Sequence, residues 1–448
     1  MTDIFNVKFN IPDYVHEVLK SLKSNGFEGF IVGGCVRDAC LDKEPSDWDI
    51  TTSAKPEEIV KIFPKSVDIG ASHGTIGVIC GKVIVEVTTY RIDGNYSDNR
   101  HPDCVSFTRK LSDDLSRRDF TINAMAYCDD TGLIDLYGGM DDLAAGIIRC
   151  VGDADRRFNE DALRMLRAVR FAAQLGFKIE LETFAAIEKN ATLIQNISAE
   201  RIRCELDKIL LSDHAELLKT IADTRLGKYI LPELCECFNT PQNTKYHIYN
   251  VGEHTIHTVK NSPKRLNIRL AALMHDFGKP EMRTTDDEGV DHFYSHQKVS
   301  EDLAGNILSR LKYSNQMKDS VLPLVAFHDM QINADKKAVK RAISKVSDEL
   351  FLDLLDLKVA DCLSQNPEYS LERQILAENI RKLYFEIKEN SEAVSLSDLA
   401  INGRDLIDIG ITEGVIIGKT LKLLLSEVID NPELNDKEIL LERAKEMC

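Results

Sequence analysis

The chain has no stretch of about 18 apolar residues, the length that a membrane-crossing helix needs. Its first ten residues, MTDIFNVKFN, lack a basic start followed by an apolar run, so a cytoplasmic protein with no membrane partner is expected. No CxxC pair occurs among the 11 cysteines, an odd count scattered from Cys35 to Cys448. That argues against a disulfide framework or a zinc ribbon and leaves free thiols as the expectation. Positive charge is in deficit: the formal net charge is −17. That argues against non-specific adsorption to nucleic acid over the whole surface, because phosphate neutralisation drives it. It does not exclude a local basic track. Arg91, Arg100, His101, Arg109, Lys110, Arg117 and Arg118 cluster in one region, and Arg156, Arg157, Arg164, Arg167 and Arg170 in the next, so a polyanion is expected in one cleft. A length of 448 residues, 43% hydrophobic and 29% charged, is that of a globular chain of several domains.

The richest stretch is 28–49, EGFIVGGCVRDACLDKEPSDWD. Phe30, Ile31 and Val32 predict a short buried strand, and Gly33-Gly34 a tight turn with φ > 0 that brings bare N–H groups against a ligand. Val36 to Leu41 predict the start of a helix. Strand, glycine turn and helix N-terminus together form a pocket for phosphate oxygens, with Arg37 as a charged donor. Asp47 and Asp49 are two apart, and in a strand such residues point to one side. Two carboxylates beside a phosphate cradle are a ligand set for Mg²⁺. A lone Gly-Gly or DxD is commonplace; their order and spacing are not. GGCVRD followed by DWD resembles the metal and triphosphate motif of the nucleotidyltransferase superfamily of DNA polymerase β type, in the branch holding bacterial CCA-adding enzymes and poly(A) polymerases.

Residues 11–25 predict an amphipathic helix, and Ser53 a cap for a helix running through Phe63 with Pro56 in its first turn. IGVICGKVIVEVTTY predicts a hairpin about Gly81-Lys82. Glu86 in its second run is either a third acidic group of the site or an edge-strand surface residue. Residues 91–110 have the composition of a mobile loop and resemble the flexible loop of relatives that add the terminal A. RRDFTINA resembles the family's second motif, which implies nucleotide contacts for Arg118, Asp119 and Asn123. DDTGLIDLYGG resembles the third, a hinge.

Residues 159–177, NEDALRMLRAVRFAAQLGF, predict one helix capped by Asn159 and ended by Gly176. Asp161 and Arg164 are three apart and so neighbours on one face, which on its own signifies an ordinary intrahelical ion pair. A sharper reading exists. Cytosine and adenine offer an amino donor beside a ring-nitrogen acceptor, whereas guanine and uracil offer a carbonyl beside an N–H. A carboxylate that only accepts and a guanidinium that only donates complement C and A and leave unpaired groups against G and U. EDALRMLRAVRF resembles the fourth family motif, which implies base reading by Asp161 and Arg164, with Arg167 and Arg170 towards the nucleotide.

Beyond LPEL at 231–234 lies a second constellation: His254, His275-Asp276, His296, His328 and Asp361 on separate helical segments, a ligand chemistry suited to a divalent metal. HDFGK at 275–279 and the order H…HD…D resemble the HD phosphohydrolase superfamily, which implies a metal of unidentified kind on His254, His275, Asp276 and Asp361, with His296 and His328 as further ligands.

The expected fold is α+β, a polymerase-β-like head with a mixed sheet followed by helical parts: head 1–150, neck 151–235, HD region 236–390, tail 391–448. The resemblance implies a Mg²⁺-dependent transferase that adds CCA to tRNA from CTP and ATP, with Asp47 and Asp49 catalytic and Gly33, Gly34 and Arg37 on the phosphates. The alternatives are the A-adding half of a split system, a poly(A) polymerase, and an HD phosphohydrolase whose head merely binds nucleotide or RNA.

Overall fold

The computed structural model describes residues 3–5, 9–94 and 104–447. The chain divides into two compact units, Met1–Leu231 and Pro232–Cys448, the division falling inside the LPEL stretch.

The first unit is built on an eight-stranded mixed sheet. Its strands are β1 (Asp3–Phe5), β2 (Gly29–Val32), β3 (Asp49–Thr52), β4 (Ser66–Gly70), β5 (Thr75–Cys80) and β6 (Val83–Thr89), then Met125–Cys128 and Gly132–Asp135. Across the sheet they run β1, Gly132–Asp135, Met125–Cys128, β2, β3, β6, β5, β4. Every pairing is antiparallel except β3 with β6. The expected hairpin is there, Cys80 facing Val83 across Gly81, whose φ is +65°. Alternation decides the faces: Ile76, Val78, Val85 and Val87 are buried on one side, while Ile79, Ile84 and Glu86 stand on the other. Each fully buried valine or isoleucine here stabilises the fold by roughly 1.5–3 kcal/mol.

Helix α1 (Asp13–Ser24) buries Val15, Val18 and Leu22, the spacing of an amphipathic helix. Helix α2 (Gly34–Cys40) follows β2 directly, and α3 (Pro56–Ile62) follows β3. Ser53 does not cap α3. Its hydroxyl accepts the Glu28 N–H instead, and the Glu58 carboxylate closes the α3 N-terminus by accepting the Lys55 N–H at 2.7 Å. The expected loop at 91–110 is a paired ladder at its two ends, Arg91–Asp93 against Val105–Phe107; residues 95–103 lie outside the described residues.

The second unit is helical apart from a two-residue ladder, Thr284–Thr285 with Asp291–His292. At its C-terminal end Leu406, Leu424, Val428, Leu440 and Ala444 close a small apolar core. Among the described residues no helix is long and apolar enough to cross a membrane.

In the stretch DDTGLIDLYGG, the Asp135 carboxylate accepts the N–H groups of Gly139 and Met140 at 2.9 and 2.8 Å and so caps the helix Gly139–Ala145. A Cβ on Gly139 would sit 2.5 Å from the carbonyl oxygen of Thr121, a backbone atom that cannot swing aside. Gly139→Ala is therefore expected to lower stability by about 1–3 kcal/mol, read by urea denaturation of the full chain.

Candidate functional site

Strand β2 ends in a turn that one glycine makes possible. Gly33 has φ +84°, a conformation that L side chains avoid, whereas Gly34 is the first residue of α2 with ordinary helical backbone, so the expected double left-handed turn reduces to one residue. Where a side chain at 33 would start lies the Arg118 guanidinium, its Nη1 3.0 Å from the position of a Cβ.

Asp49 opens β3, and Asp47 lies just ahead of the strand rather than in it, exposed, with Trp48 buried between them. Across the parallel pairing Glu86 stands in register with Asp49, so the two carboxylates share a face. Burial, then the charges of Asp47 and Glu86, push the Asp49 carboxyl up from its ordinary 3.8 to about 6; Arg118 opposes them. Asp49 and Glu86 on one face, with Asp47 alongside, offer only oxygen donors, the chemistry that suits a hard cation.

Two buried acids that no motif singled out for this role hold the arginines. Asp114 is fully buried: Oδ1 accepts from Nε and Nη2 of Arg117 at 2.9 and 2.7 Å, and Oδ2 from the hydroxyl of Thr51 on β3 at 3.0 Å. Arg118 reaches the same carboxylate at 3.5 Å. Asp119 accepts from Nε and Nη2 of Arg167 at 2.8 and 2.6 Å and from Asn123 at 3.2 Å, and Asn123 in turn accepts from Arg37 at 2.8 Å. Burial alone would raise both carboxyls, but Arg117 and Arg118 hold Asp114, and Arg167 and Arg164 hold Asp119, below the usual range. The Phe171 ring lies under Arg37 and Arg167, 5.1 and 5.3 Å from its centroid.

The expected single helix over 159–177 is two. Ala154–Glu160 ends at Asp161, whose backbone is extended, and α4 (Leu163–Leu175) begins two residues on and ends at Gly176 in the left-handed conformation. The Asp161 carboxylate itself makes the break, accepting the Leu163 N–H at 3.1 Å. Asn159 therefore caps nothing; Asp153 caps the first helix. The Arg164 N–H donates to the Asp161 carbonyl at 3.0 Å, and the two side chains reach to other partners. Asp161 Oδ2 is held by Arg201 at 3.0 Å, from the helix Ala199–Leu210, and Arg164 by Glu160 at 2.7 Å and by the carbonyls of Arg157 and Arg117. Arg170, expected towards the nucleotide, is buried and paired with Glu205, one turn beyond Arg201 on that same helix. Arg201 and Glu205 escaped notice in ISAERIRCELDKILLS because an i, i+4 pair is usually a solvated helix face.

In the second unit His254 lies in the helix Val251–Asn261, His275 ends Leu266–Met274, His296 opens His296–Arg310, His328 ends Asn315–Phe327 and Asp361 lies in Asp348–Leu363. They converge. His254 Nε2 is 3.3 Å from His275 Nε2 and 2.9 Å from Asp361; His296 Nε2 is 3.2 Å from His328 Nε2 and 3.3 Å from Asp276. The other nitrogen of each ring, Nδ1, faces a backbone carbonyl: Ser364, Ala272, Phe293 and Val325 in turn, at 2.7–3.2 Å. Each Nδ1 is thus placed to donate to a carbonyl, and the four Nε2 atoms face inward, an arrangement that fits a divalent metal and its outer hydrogen bonds. Two triads, His254/His275/Asp276 and Asp276/His296/His328, each have ligand atoms within 4.8 Å of one another and share Asp276. Lys279 anchors Asp276 at 2.7 Å, and Asp276, His296, His328 and Asp361 line a cavity of about 570 Å³.

The raised carboxyl of Asp49 has a stability sign. The unfolded chain ionises Asp49 near 3.8 and the folded chain near 6, so in the cation-free protein stability falls as pH rises between the two and stays lower above. Asp49→Asn is expected to stabilise the EDTA-treated protein at pH 8, by an upper limit of roughly 3 kcal/mol, and to add nothing below pH ~4. Denaturation at the two pH values measures it.

Residues 29–149 match the family described as poly A polymerase head domain, 176–238 the RNA and SrmB-binding site of polymerase A, and 284–444 tRNA nucleotidyltransferase domain 2. The chain is 35% identical over 443 residues to the CCA-adding enzyme of Ligilactobacillus salivarius (strain UCC118), covering 98% of each chain. It is 36% identical over 426 residues to that of Pediococcus pentosaceus, covering 95% of each. Among solved structures it is similar to the Bacillus stearothermophilus CCA-adding enzyme in complex with CTP, with a TM-score of 0.69 and 28% identity over 97% of this chain and 98% of that one. Relatedness of this extent joins the carboxylate face beside Gly33 to a known lineage, and the chain belongs to the family of bacterial CCA-adding enzymes.

Proposed function

We propose that this chain adds C, C and A to the 3′ end of tRNA from CTP and ATP without a nucleic-acid template. The observation that carries the reading is the seating of Asp47, Asp49 and Glu86 beside the Gly33 turn, in a chain of this family. The acceptor 3′ hydroxyl attacks the α-phosphorus in line; the new O3′–P bond forms as the bond to pyrophosphate breaks, and the hydroxyl proton is lost to solvent. Asp47 and Asp49, with Glu86 as a third oxygen donor, would hold Mg²⁺, which would neutralise charge at the phosphates and acidify the attacking hydroxyl.

The protein's own part is positioning. Gly33 and Gly34 offer bare backbone, Arg118 lies against that turn, and Arg37, fixed by Asp38 and Asn123, extends the cationic wall. Asp119 keeps Arg167 and Asn123 in place rather than meeting the nucleotide itself. Arg170 belongs to the support of the neck through Glu205. Asp161, oriented by Arg201, presents an acceptor, and Arg164, oriented by Glu160, a donor. Opposite C or A both are satisfied; opposite G or U both are left facing their own kind.

A second reading applies to residues 236–390, favoured by the four facing imidazole nitrogens: a metal-dependent phosphohydrolase site of HD type, fused to a head at 1–150 and a neck at 151–235, with a tail at 391–448. His254, His275, Asp276 and Asp361 would hold one divalent ion and Asp276, His296 and His328 a second, polarising a phosphoryl oxygen and acidifying water.

Incubation with Mg²⁺ and tRNA transcripts ending before CCA, after CC, and complete tests the main reading at single-nucleotide resolution. Three additions and a stop are expected; A added only after CC would make this the A-adding half of a split system, long A tails a poly(A) polymerase, and no addition would favour the HD phosphohydrolase. In the same assay Arg164→Ala is expected to erode the preference for C and A over G and U by roughly 10- to 100-fold, and unchanged selectivity would overturn the protein-template reading. His275→Ala is expected to lose transition metal from the purified protein, measured by elemental analysis, while transfer continues; loss of transfer in the folded variant would refute independent sites.

A further inference from the structure

The sheet face that carries Asp49 and Glu86 does not end with them. Gly77 on β5 pairs with Glu86, and Val67 on β4 pairs with Gly77, so all three positions open to the same side. Ile79 and Ile84, two residues along from Gly77 and Glu86, face each other across the β5–β6 ladder on that side. Val67, Ile69, Ile79 and Ile84 are 37–53% exposed, whereas Ile76, Val78, Val85 and Val87 on the opposite side are at most 3% exposed. The missing side chain at Gly77 makes the surface continuous. A Cβ there would meet Ile69 Cδ1 at 2.4 Å, Ile84 Cγ2 at 2.8 Å and Val67 Cγ2 at 2.9 Å, so three aliphatic ends close over the glycine. Glycine inside a strand weakens it, and here that weakness serves a flat apolar ledge beside the carboxylates.

We infer that this ledge, Val67, Ile69, Ile79 and Ile84 over Gly77, carries the unpaired 3′-terminal nucleotide of the acceptor RNA. The inference rests on the transferase reading and assigns the other substrate its side of the site. In the sheet order β2 lies on one side of β3, and β6, β5 and β4 on the other. The Gly33 turn and its arginines belong to the β2 flank, where the triphosphate is read to lie. In-line displacement brings the nucleophile in opposite the leaving pyrophosphate, which is the flank of the ledge. Gly77 is two strands from Asp49, about 10 Å at the ordinary strand spacing.

The chemistry of the surface suits that occupant. Bases stripped of their partners expose apolar faces, and contact through those faces does not depend on which base is present. An enzyme adding three nucleotides in turn meets a different terminus at every step. A ledge of aliphatic side chains has no donors or acceptors with which to prefer one terminus, so selection stays with Asp161 and Arg164.

The test compares Ile84→Ser, Ile69→Ser and Ile84→Leu in the full chain, using tRNA transcripts that end before CCA, after C and after CC. Both side chains are exposed, so melting of the serine variants should match the parent. The serine variants are expected to raise KM for all three transcripts by about tenfold, with KM for CTP and ATP unchanged, and Ile84→Leu to restore the parental value. An unchanged transcript KM, or a change in the nucleotide KM alone, overturns the ledge while the transferase reading stands. A parent that adds no nucleotide to any transcript overturns both. If the parent sediments as a dimer that Ile84→Ser dissociates without altering transcript KM, the face belongs to a second copy of this chain and the inference falls.

Discussion

Like charges converge on one face of the first unit's sheet, and their repulsion organises what surrounds them. Asp47, Asp49 and Glu86 stand close enough that Asp49 gives up its charge at about two pH units above the ordinary point. A fold tolerates that only where function or a counter-ion compensates. Among the described residues, four arginines of the first unit are in turn tied to acids. Arg117 and Arg118 are gathered by Asp114, Arg167 by Asp119, and Arg37 by Asp38 and, through Asn123, by Asp119. Buried pairs of this kind contribute little net stability compared with apolar packing. What they provide is direction: guanidinium groups with fixed orientation, aimed before a substrate arrives, so that ordering them is not charged to the reaction.

The same logic governs Asp161 and Arg164. On an unbroken helix Asp161 and Arg164 would be neighbours three apart, free to neutralise each other. The break at Asp161 and the cross-helix grip of Arg201 hold the carboxylate, and Glu160 with two backbone carbonyls holds the guanidinium. Carboxylate and guanidinium are thus each held in a fixed orientation. The helix that supplies Arg201 also supplies Glu205 to Arg170, so one element holds both Asp161, just ahead of α4, and Arg170 in its middle.

The second unit solves a related problem with different donors. Four imidazoles have their Nδ1 atoms against main-chain carbonyls, which turns four Nε2 atoms inward around Asp276. Oxygen donors alone in the first unit suit Mg²⁺, and mixed nitrogen and oxygen donors in the second suit a borderline transition metal. The two centres are therefore separable by ligand chemistry as well as by their place in the chain.

What the sequence by itself determined was local in character. The glycine turn after a short apolar strand, the hairpin at Gly81, the left-handed stop at Gly176 and the carboxylates two apart all follow from rules that span a few residues, and the motif order identified the family. Tertiary structure alone decided the rest. The register of Asp49 with Glu86, the bond from Thr51 to Asp114 across 63 residues and that from Arg201 to Asp161 across 40 depend on which strands and helices meet. The break at Asp161 was hidden because apolar spacing continues through it, while the competing bond from its own side chain to the backbone leaves no trace in periodicity. The ledge over Gly77 was hidden for a different reason: an alternating strand read alone does not say which face is covered, and only the order of strands around β3 settles that.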